Sequence, residues 1–253
     1  MLRVDPRNPR AQELALRLSP HVDLANLPGA PCVVVGGDGF MLSTIRALGT
    51  DPVYLGLNAG HLGFLLNDIG QSEATMRAAA ARMREGRFRA WNFPRLLMTA
   101  TNVDGETVSS AAVNDLYLER ATGQTAHLHM RVDGEDVVDR LICDGLLVAT
   151  ALGSTAYSYS AGGVPCHPLV RAVHVTPIAP HAPRLSPLIV PIGTIIELEA
   201  LAWERRPVRA VGDGVDLGPI RNMRVGPDPD EVQLAFLDGH QFTRTLVDKV
   251  LRG

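Results

Sequence analysis

The 253-residue sequence predicts an open α/β domain followed by an antiparallel all-β domain. Over residues 1–93, short apolar strands alternate with amphipathic helices, which is the pattern of a parallel sheet with crossover helices. Over residues 94–237, short strand-like runs are separated mainly by Asp-Gly turns. Residues 238–253 return to a helical pattern. We therefore expect a domain boundary at each of these two changes.

The composition is that of an ordinary globular protein, and it argues against several classes of binding partner. A net charge of -3 and an isoelectric point near 6.2, with no basic run interleaved with aromatic residues, argue against nucleic acid. Three widely spaced cysteines without a CxxC pair predict reduced thiols rather than disulfides or a zinc site. Because no apolar run approaches a membrane span and the first residues lack the apolar core of a signal peptide, we expect a cytoplasmic protein without a membrane partner.

The first α/β element is organised around a glycine turn. Pro9–Leu18 is the only element predicted ahead of it, as a short helix. The apolar run Cys32–Val35 predicts a strand buried on both faces, which stops at the turn Gly36–Gly39. A helix that follows at once is expected to end at Gly49. Backbone amides at such a turn are suited to phosphate, and Asp38 among them would then accept a proton or hold a metal ion. Taken alone, the turn is equally compatible with an alternative in which Asp38 only caps the helix.

A second strand and a second helix complete the predicted crevice. Val53–Asn58 is a short apolar run, and a helix over 72–86 begins with Ser72 as its N-cap. The carboxyl ends of neighbouring parallel strands lie at the same edge of a sheet. The turns at Gly36–Gly39 and Asn58–Gly63 are therefore predicted to line one ligand crevice.

The β domain is predicted from seven short strand-like runs. They are RLLMTAT, AAVNDLYLER, AHLHMRV, LLVAT, AVHVTPI, TIIELEA and VQLAFL. Asn114 and Asp115 interrupt the second run, where ribose hydroxyls would suit them, and a solvent-exposed strand end is an equally weighted alternative. The stretch Cys143–Pro168 concentrates hydroxyls, exposed amides and an aromatic ring. That composition favours binding of a purine, its ribose and phosphates.

Other polar residues are assigned no chemical role. His127 and His129 share a strand face but lack a third ligand, so they predict no metal site. Ser154 and Ser158 do not lie in a G-x-S-x-G elbow, which argues against a hydrolase nucleophile. Asp213, in VGDGVD, is interpreted only as a turn former.

Taken together, these stretches resemble the NAD kinase family. The matching pieces, in the family's order, are VVVGGDGFML, GLNAGHLGFL, AVNDLYLER, DGLLVATALGSTAYSYSAGG and HP with VTPIAPHAPRLSPLIVP. The resemblance implies a Rossmann-like α/β domain, a β-sandwich-like domain, and a last segment that packs back on the first domain. It also implies that ATP, another triphosphate or polyphosphate phosphorylates the 2′-hydroxyl of the adenosine ribose of NAD to give NADP, with Mg²⁺ on the donor.

The resemblance also assigns roles to residues at the matching positions. Asp38 is the expected general base, and no residue is expected to ligate a metal. The residues expected to bind NAD or the donor are Gly36, Gly37, Gly39, Phe40, Asn58, Asn114, Asp115, Asp144, Thr155, Ala156, Tyr157, Ser160 and Ala179. Because the family's counterpart of Asp144 acts partly across a subunit interface, a homo-oligomer, dimer or tetramer, is expected.

Three positions depart from the family pattern. Phe40 stands where Thr is frequent, which removes a hydroxyl but keeps the backbone cradle. Leu152 stands where Ser or Thr is common, and Ile142 where some members carry Arg. These departures bear on dinucleotide affinity and on the preference between NAD and NADH rather than on Asp38.

Two alternative functions share parts of the pattern. A lipid kinase of the diacylglycerol or sphingosine type has a GGDG turn, but it would leave the NDL and GSTAYS stretches without a function. A non-catalytic NAD-binding sensor would be favoured by loss of the acid in the glycine turn, and Asp38 is present.

Overall fold

A computed structural model describes residues 1–60 and 63–251, and within them the chain forms fourteen strands and five helices. The strands are β1 Leu2–Val4, β2 Cys32–Gly36, β3 Val53–Asn58, β4 Phe88–Asn102, β5 Thr107–Ala112, β6 Asp115–Arg120, β7 Ala126–Val132, β8 Glu135–Cys143, β9 Gly145–Thr150, β10 Ala172–Ile178, β11 Leu188–Pro191, β12 Ile196–Ala200, β13 Val208–Gly212 and β14 Val215–Leu237. The helices are α1 Pro9–Leu18, α2 Asp38–Leu48, α3 Glu73–Arg84, α4 Tyr157–Ser160 and α5 Phe242–Leu251. None of these helices is both long enough and apolar enough to span a membrane.

The chain divides into two compact units. The α/β unit comprises Met1–Phe93 and Glu231–Gly253, and the β unit comprises Pro94–Asp230. The first unit is α/β and the second is mostly β, which confirms the predicted fold class. The return of the chain to the α/β unit begins at Glu231, within β14, whereas the sequence pattern placed it at residue 238.

The α/β unit contains a parallel sheet in the order β1, β2, β3, β14. β1 pairs with β2, β2 with β3, and β3 with residues 233–235 of β14, all in parallel. The expectation that no strand precedes Pro9 is wrong, because Leu2–Val4 forms the edge strand β1. Three residues are too few to show a period-2 pattern, so the sequence carried no signal for this strand. With a neighbour on each side, β2 is buried along its whole length.

The helices of the α/β unit begin and end with ordinary caps. The hydroxyl of Ser72 accepts a hydrogen bond from the amide of Thr75 at 3.2 Å, which confirms the predicted N-cap of α3. The side chain of Asn8 accepts from the amide of Arg10 at 3.1 Å and caps α1. α2 ends at Leu48, and Gly49 is its C-cap, as predicted, with a φ of 80° that favours glycine.

A buried amide joins the loop after β3 to β14. Asn67 is 2% exposed, and its Nδ2 donates to the carbonyl oxygens of Gly56 at 2.9 Å and Ala235 at 3.0 Å. Its Oδ1 accepts from the amide of Leu237 at 2.8 Å. Because each of these polar atoms is buried, each bond would be costly to leave unmade. Asn67 therefore fixes the carboxyl-end edge of this sheet.

The β unit is built from antiparallel pairs around one hydrophobic cluster. The pairs are β4 with β5, β6 with β9 and β13, β7 with β8 and β12, β10 with β9 and β11, and β14 with β12 and β13. The single strand predicted over 111–120 is wrong, because the chain leaves the ladder between Ala112 and Asp115 and forms two strands. At this break the backbone amides donate hydrogen bonds to a side chain instead of to a neighbouring strand.

Candidate functional site

The glycine turn of the α/β unit exposes backbone at the start of a helix. β2 ends at Gly36 and α2 begins at Asp38, with Gly37 as an N-cap whose helix receives no side-chain cap. A Cβ added at Gly37 or Gly39 would meet no atom within 4 Å, so open space adjoins both residues. The first amides of a helix lack intrahelical partners and carry partial positive charge. This turn is therefore suited to an anion.

The carboxylate of Asp38 is held by the loop that follows β3. Its Oδ2 accepts from the amide of Phe64 at 3.1 Å, and its Oδ1 accepts from the amide of Leu65 at 3.2 Å. A Cβ added at Gly63 would lie 2.2 Å from Oδ1 of Asp38, so this approach requires glycine. Hence Asp38 does not cap its own helix; it stands at the glycine turn, and its side chain is fixed by amides of a neighbouring loop.

The remaining predicted residues of this unit lie at the same sheet edge. The amide of Ala59 donates to the carbonyl oxygen of Gly36 at 2.8 Å, which joins the ends of β2 and β3. Oδ1 of Asn58 accepts from the amide of Gly60 at 3.1 Å. The ring of Phe40 packs beside Gly36, where an added Cβ would come within 2.9 Å of it. The predicted Asn58–Gly63 stretch includes His61 and Leu62, which lie outside the described residues.

In the β unit, Asp213 organises the Asn114–Asp115 segment. Its Oδ2 accepts from the amide of Val113 at 2.8 Å, and its Oδ1 accepts from the amides of Asn114 at 2.8 Å and Asp115 at 3.2 Å. The interpretation of Asp213 as a turn former only is therefore wrong. Its carboxylate replaces the ladder partners of three successive amides, and this explains the break between β5 and β6.

The two side chains of this segment are both polar and enclosed. Oδ1 of Asn114 is buried and has no hydrogen-bond partner within residues 1–60 and 63–251. Asp115 is 5% exposed, and burial, followed by the charge of Asp213, raises the pKa of Asp115 to about 7. A buried acceptor without a donor is costly unless a ligand supplies one. The pair therefore fits a ligand that carries hydroxyl groups.

The Gly153–Thr155 turn packs directly against Asn114. The amide of Thr150 donates to the carbonyl oxygen of Asn114 at 2.9 Å, and the Thr150 hydroxyl donates to that of Val113 at 2.7 Å. A Cβ added at Gly153 would lie 2.1 Å from the Asn114 carbonyl oxygen. The structure thus brings the NDL and GST stretches into contact, and glycine is needed at this position.

An aromatic pair follows the turn. The ring centroids of Tyr157 and Tyr117 lie 5.1 Å apart, nearly edge to face, and Tyr157 is 37% exposed. Thr155 is buried, Ala156 is half-buried and Ser160 is exposed. The segment therefore presents an accessible ring beside a fixed backbone, which is a surface on which a base can stack.

The two serines examined as nucleophiles are structural. The hydroxyl of Ser154 donates to the Ala151 carbonyl oxygen at 2.6 Å and accepts from the amide of Cys166 at 2.9 Å. The hydroxyls of Ser158 and Thr176 lie 2.9 Å apart in the interior. Both serines are fully buried, so neither can reach a substrate.

Asp144 and Ala179 lie beside each other at the end of β10. The amide of Asp144 donates to the carbonyl oxygen of Ile178 at 2.9 Å, one residue before Ala179. Oδ1 of Asp144 lies 2.7 Å from Nε of Arg120, an ion pair that the sequence did not indicate. Ala179 is exposed and has a φ of 46°, an uncommon conformation for a residue with a Cβ.

The described part of the chain holds no group of three His, Cys, Asp or Glu side chains that could bind a metal ion. His129 lies 2.9 Å from Asp136 through its Nε2 and forms an ion pair when protonated. Sequence reasoning missed three further residues near these sites, Asn67, Asp213 and Lys249. Each acts through partners distant in sequence, and only Lys249 carries a sequence signal, because no other lysine occurs in the chain.

Comparison with known proteins identifies the family. The profile of the ATP-NAD kinase C-terminal domain matches residues 113–225. An NAD kinase of Zymomonas mobilis is 37% identical over 227 residues, which cover 87% of this chain and 84% of that protein. Among solved structures, yeast NADH kinase complexed with NADH has a TM-score of 0.82 at 22% identity, covering 99% of this chain and 86% of that chain. An NAD kinase from Archaeoglobus fulgidus in complex with ATP has a TM-score of 0.74 at 27% identity, covering 98% of this chain and 96% of that chain.

The alignment with the Zymomonas mobilis protein covers more than four fifths of each chain, and the matched profile includes the Asn114–Asp115 segment. The chain belongs to the NAD kinase family of phosphoryl-transferring enzymes.

Proposed function

We propose that this protein phosphorylates the 2′-hydroxyl of the adenosine ribose of NAD, giving NADP. ATP, another nucleoside triphosphate or polyphosphate supplies the phosphoryl group. The observation that carries the proposal is the position of Asp38, a carboxylate fixed by the amides of Phe64 and Leu65 at a glycine turn open to phosphate. The family membership and the solved relatives with NADH and with ATP support this choice of substrates.

In the proposed reaction, the 2′-oxygen of NAD attacks the terminal phosphorus of the donor. A new P–O bond forms, the bond to the bridging oxygen breaks, and the shortened donor leaves. Asp38 orients the hydroxyl and takes its proton as that bond forms. The open amides at Gly37 and Gly39 bind donor phosphate oxygens, and Mg²⁺ held by the donor itself would offset the charge of those phosphates.

The residues of the β unit bind NAD in this proposal. Oδ1 of Asn114 accepts from a ribose hydroxyl, which would satisfy its present lack of a partner. Asp115 contacts the same ribose, and the exposed ring of Tyr157 stacks on a base of the dinucleotide. Thr155, Ala156, Ser160 and Ala179 line the dinucleotide site. Asp144 acts at the nicotinamide end in a homo-oligomer, and the enzyme works in the cytoplasm.

A coupled assay tests the proposal. Purified protein is incubated with NAD or NADH and with ATP or polyphosphate, and NADP or NADPH is detected with an NADP-specific dehydrogenase. We expect NADP from NAD with at least one donor. Tight NAD binding without product under every donor would support a sensor instead. Transfer of labelled phosphate to diacylglycerol or sphingosine but not to NAD would support a lipid kinase.

A further inference from the structure

The chain contains a single lysine. Of its 24 lysine and arginine residues, 23 are arginines, and the exception is Lys249 in α5. The two cations differ physically, since an ammonium is a compact point charge with three rotatable donors, whereas a guanidinium is a planar fork. Lys249 is therefore the one ammonium side chain in this sequence.

Helix α5 places this lysine against the ring of Phe64, a residue whose backbone amide holds the carboxylate of the glycine turn. Nζ of Lys249 lies 4.5 Å from the ring centroid of Phe64. The amide of the same Phe64 donates to Oδ2 of Asp38 at 3.1 Å. The ammonium and the Asp38 carboxylate are thus two neighbours of one residue. The charge of Asp38 acts to raise the pKa of Lys249, while burial, the larger effect, lowers it.

Among the described residues, the ammonium has no anionic partner within hydrogen-bonding range. Lys249 forms neither a salt bridge nor a hydrogen bond with residues 1–60 or 63–251, and its charge lies over the Phe64 ring. The neighbouring acid on its helix, Asp248, instead pairs with Arg244 at 3.7 Å. Burial removes hydration from this cation, and the charge of Asp38 offsets only part of that loss because burial has the larger effect. This arrangement is expected where a mobile anion completes the pair.

We propose that Lys249 binds the terminal phosphate of the phosphoryl donor. The inference rests on the proposed function, because it takes the glycine turn to be the donor site. No lysine follows the glycines as it does in a P-loop, so the turn lacks the ammonium that a P-loop supplies locally. Lys249 supplies that cation from the far end of the chain and offsets charge on the group transferred near Asp38.

Substitution kinetics test this role. Lys249→Met keeps most of the aliphatic side chain but removes the charge, and we expect a rise of about tenfold or more in the KM for the donor with the KM for NAD changed less than about twofold. Lys249→Arg should recover only part of the loss, because a planar fork replaces the compact ammonium. Arg244→Met, which neutralises an exposed cation on the same helix, is the matched control and should leave both KM values unchanged. Equal donor KM values for Lys249→Met and Arg244→Met would overturn the proposal.

A second experiment is possible because the chain has one side-chain amine. Reductive methylation labels only Lys249 and the N-terminal amine, which serves as an internal control, and mass spectrometry of peptides reports each rate. We expect inorganic tripolyphosphate to slow labelling of Lys249 about tenfold and to leave the N-terminal rate unchanged. Equal Lys249 rates with and without millimolar tripolyphosphate would overturn the proposal. Protection of Lys249 in a protein that forms no NADP would instead retain this site and reject the proposed activity.

Discussion

Each unit of this protein has a carboxylate that accepts hydrogen bonds from successive backbone amides. In the α/β unit, Asp38 accepts two amides of the loop after β3. In the β unit, Asp213 accepts three amides between β5 and β6. Each arrangement also depends on a glycine, since a Cβ at Gly63 would lie 2.2 Å from Asp38 and one at Gly153 would lie 2.1 Å from Asn114.

The two carboxylates differ in their charged neighbours and in what the amides hold in place. Asp38 has the cation Lys249 nearby, and the loop amides fix the carboxylate itself. Asp213 has a second acid nearby, Asp115, and its carboxylate fixes the backbone that presents Asn114. In the proposed function, the same hydrogen-bond pattern therefore positions a reactive group in one unit and a binding segment in the other. Variants should separate effects on turnover from effects on NAD affinity.

The largest expected effect is that of Asp38→Asn on turnover. The amide cannot take the hydroxyl proton, so we expect kcat to fall about 10²–10⁴-fold, while NAD binding changes little. The measurement is the coupled assay together with calorimetric titration of NAD. Normal turnover in a variant that binds NAD would show that Asp38 is not the base.

The next largest effect is expected from Gly153→Ala. The added Cβ would overlap the Asn114 carbonyl oxygen, which is backbone and cannot swing away, so we expect the free energy of unfolding to fall by about 2–4 kcal/mol. Chemical denaturation measures the change. Gly123→Ala, where an added Cβ meets nothing within 4 Å, is the control in the same unit and should be nearly neutral. Equal stability of the two variants would contradict the close packing described for Gly153.

Asp213→Asn should affect NAD affinity more than turnover. One of the three amides loses its acceptor because an NH₂ group replaces an oxygen, at a cost of about 1–2 kcal/mol, and the Asn114 segment loosens. We expect the KM for NAD to rise about tenfold with kcat changed less than about threefold. A variant in which kcat falls and the KM for NAD stays constant would assign Asp213 a role in turnover, like that of Asp38, and not in NAD binding.

The last expected effect is gradual and concerns the pH dependence of stability rather than turnover or NAD affinity. Asp115 has a folded-state pKa of about 7 against an ordinary value of 3.8, so the folded protein retains a proton that the unfolded chain has lost. This contribution is fully present below pH 3.8 and is lost as the pH rises through about 7, with a slope of at most about 1.4 kcal/mol per pH unit. Urea denaturation at several pH values should show a flatter profile for Asp115→Asn than for the original protein. Parallel profiles would mean that Asp115 is charged in the fold.

Much of the fold could be predicted because its strongest elements have local patterns. β2, β3 and α3 follow from continuous apolar runs and a Ser N-cap. β8 was not predicted, because five of its nine residues are exposed, four of these are charged, and the alternation of a half-buried strand is missing. β11 and β13, with four and five residues, were also missed because they are too short for periodicity to be clear.

The candidate site was predicted from local sequence motifs, and its contacts between residues distant in sequence were missed. The glycine turn, Asn114 and the Gly153–Tyr157 stretch each stand out locally in the sequence. The bond between Asn114 and Asp213 joins residues 99 positions apart, and Asp-Gly looks like any other turn. Contacts of this kind have no local signature, because they depend on how the strands pair.

The Asn67 amide has a consequence for the order in which the protein can fold during synthesis. Two of its three hydrogen bonds are made to Ala235 and Leu237, in the strand that pairs beside β3. A ribosome completes the β unit, which ends at Asp230, before it makes Ala235 and Leu237. The nascent α/β unit therefore waits, with an unfinished sheet edge and an unsatisfied Asn67 amide, until the last part of the chain emerges. This sheet is completed late, although the residues of its glycine turn are translated early.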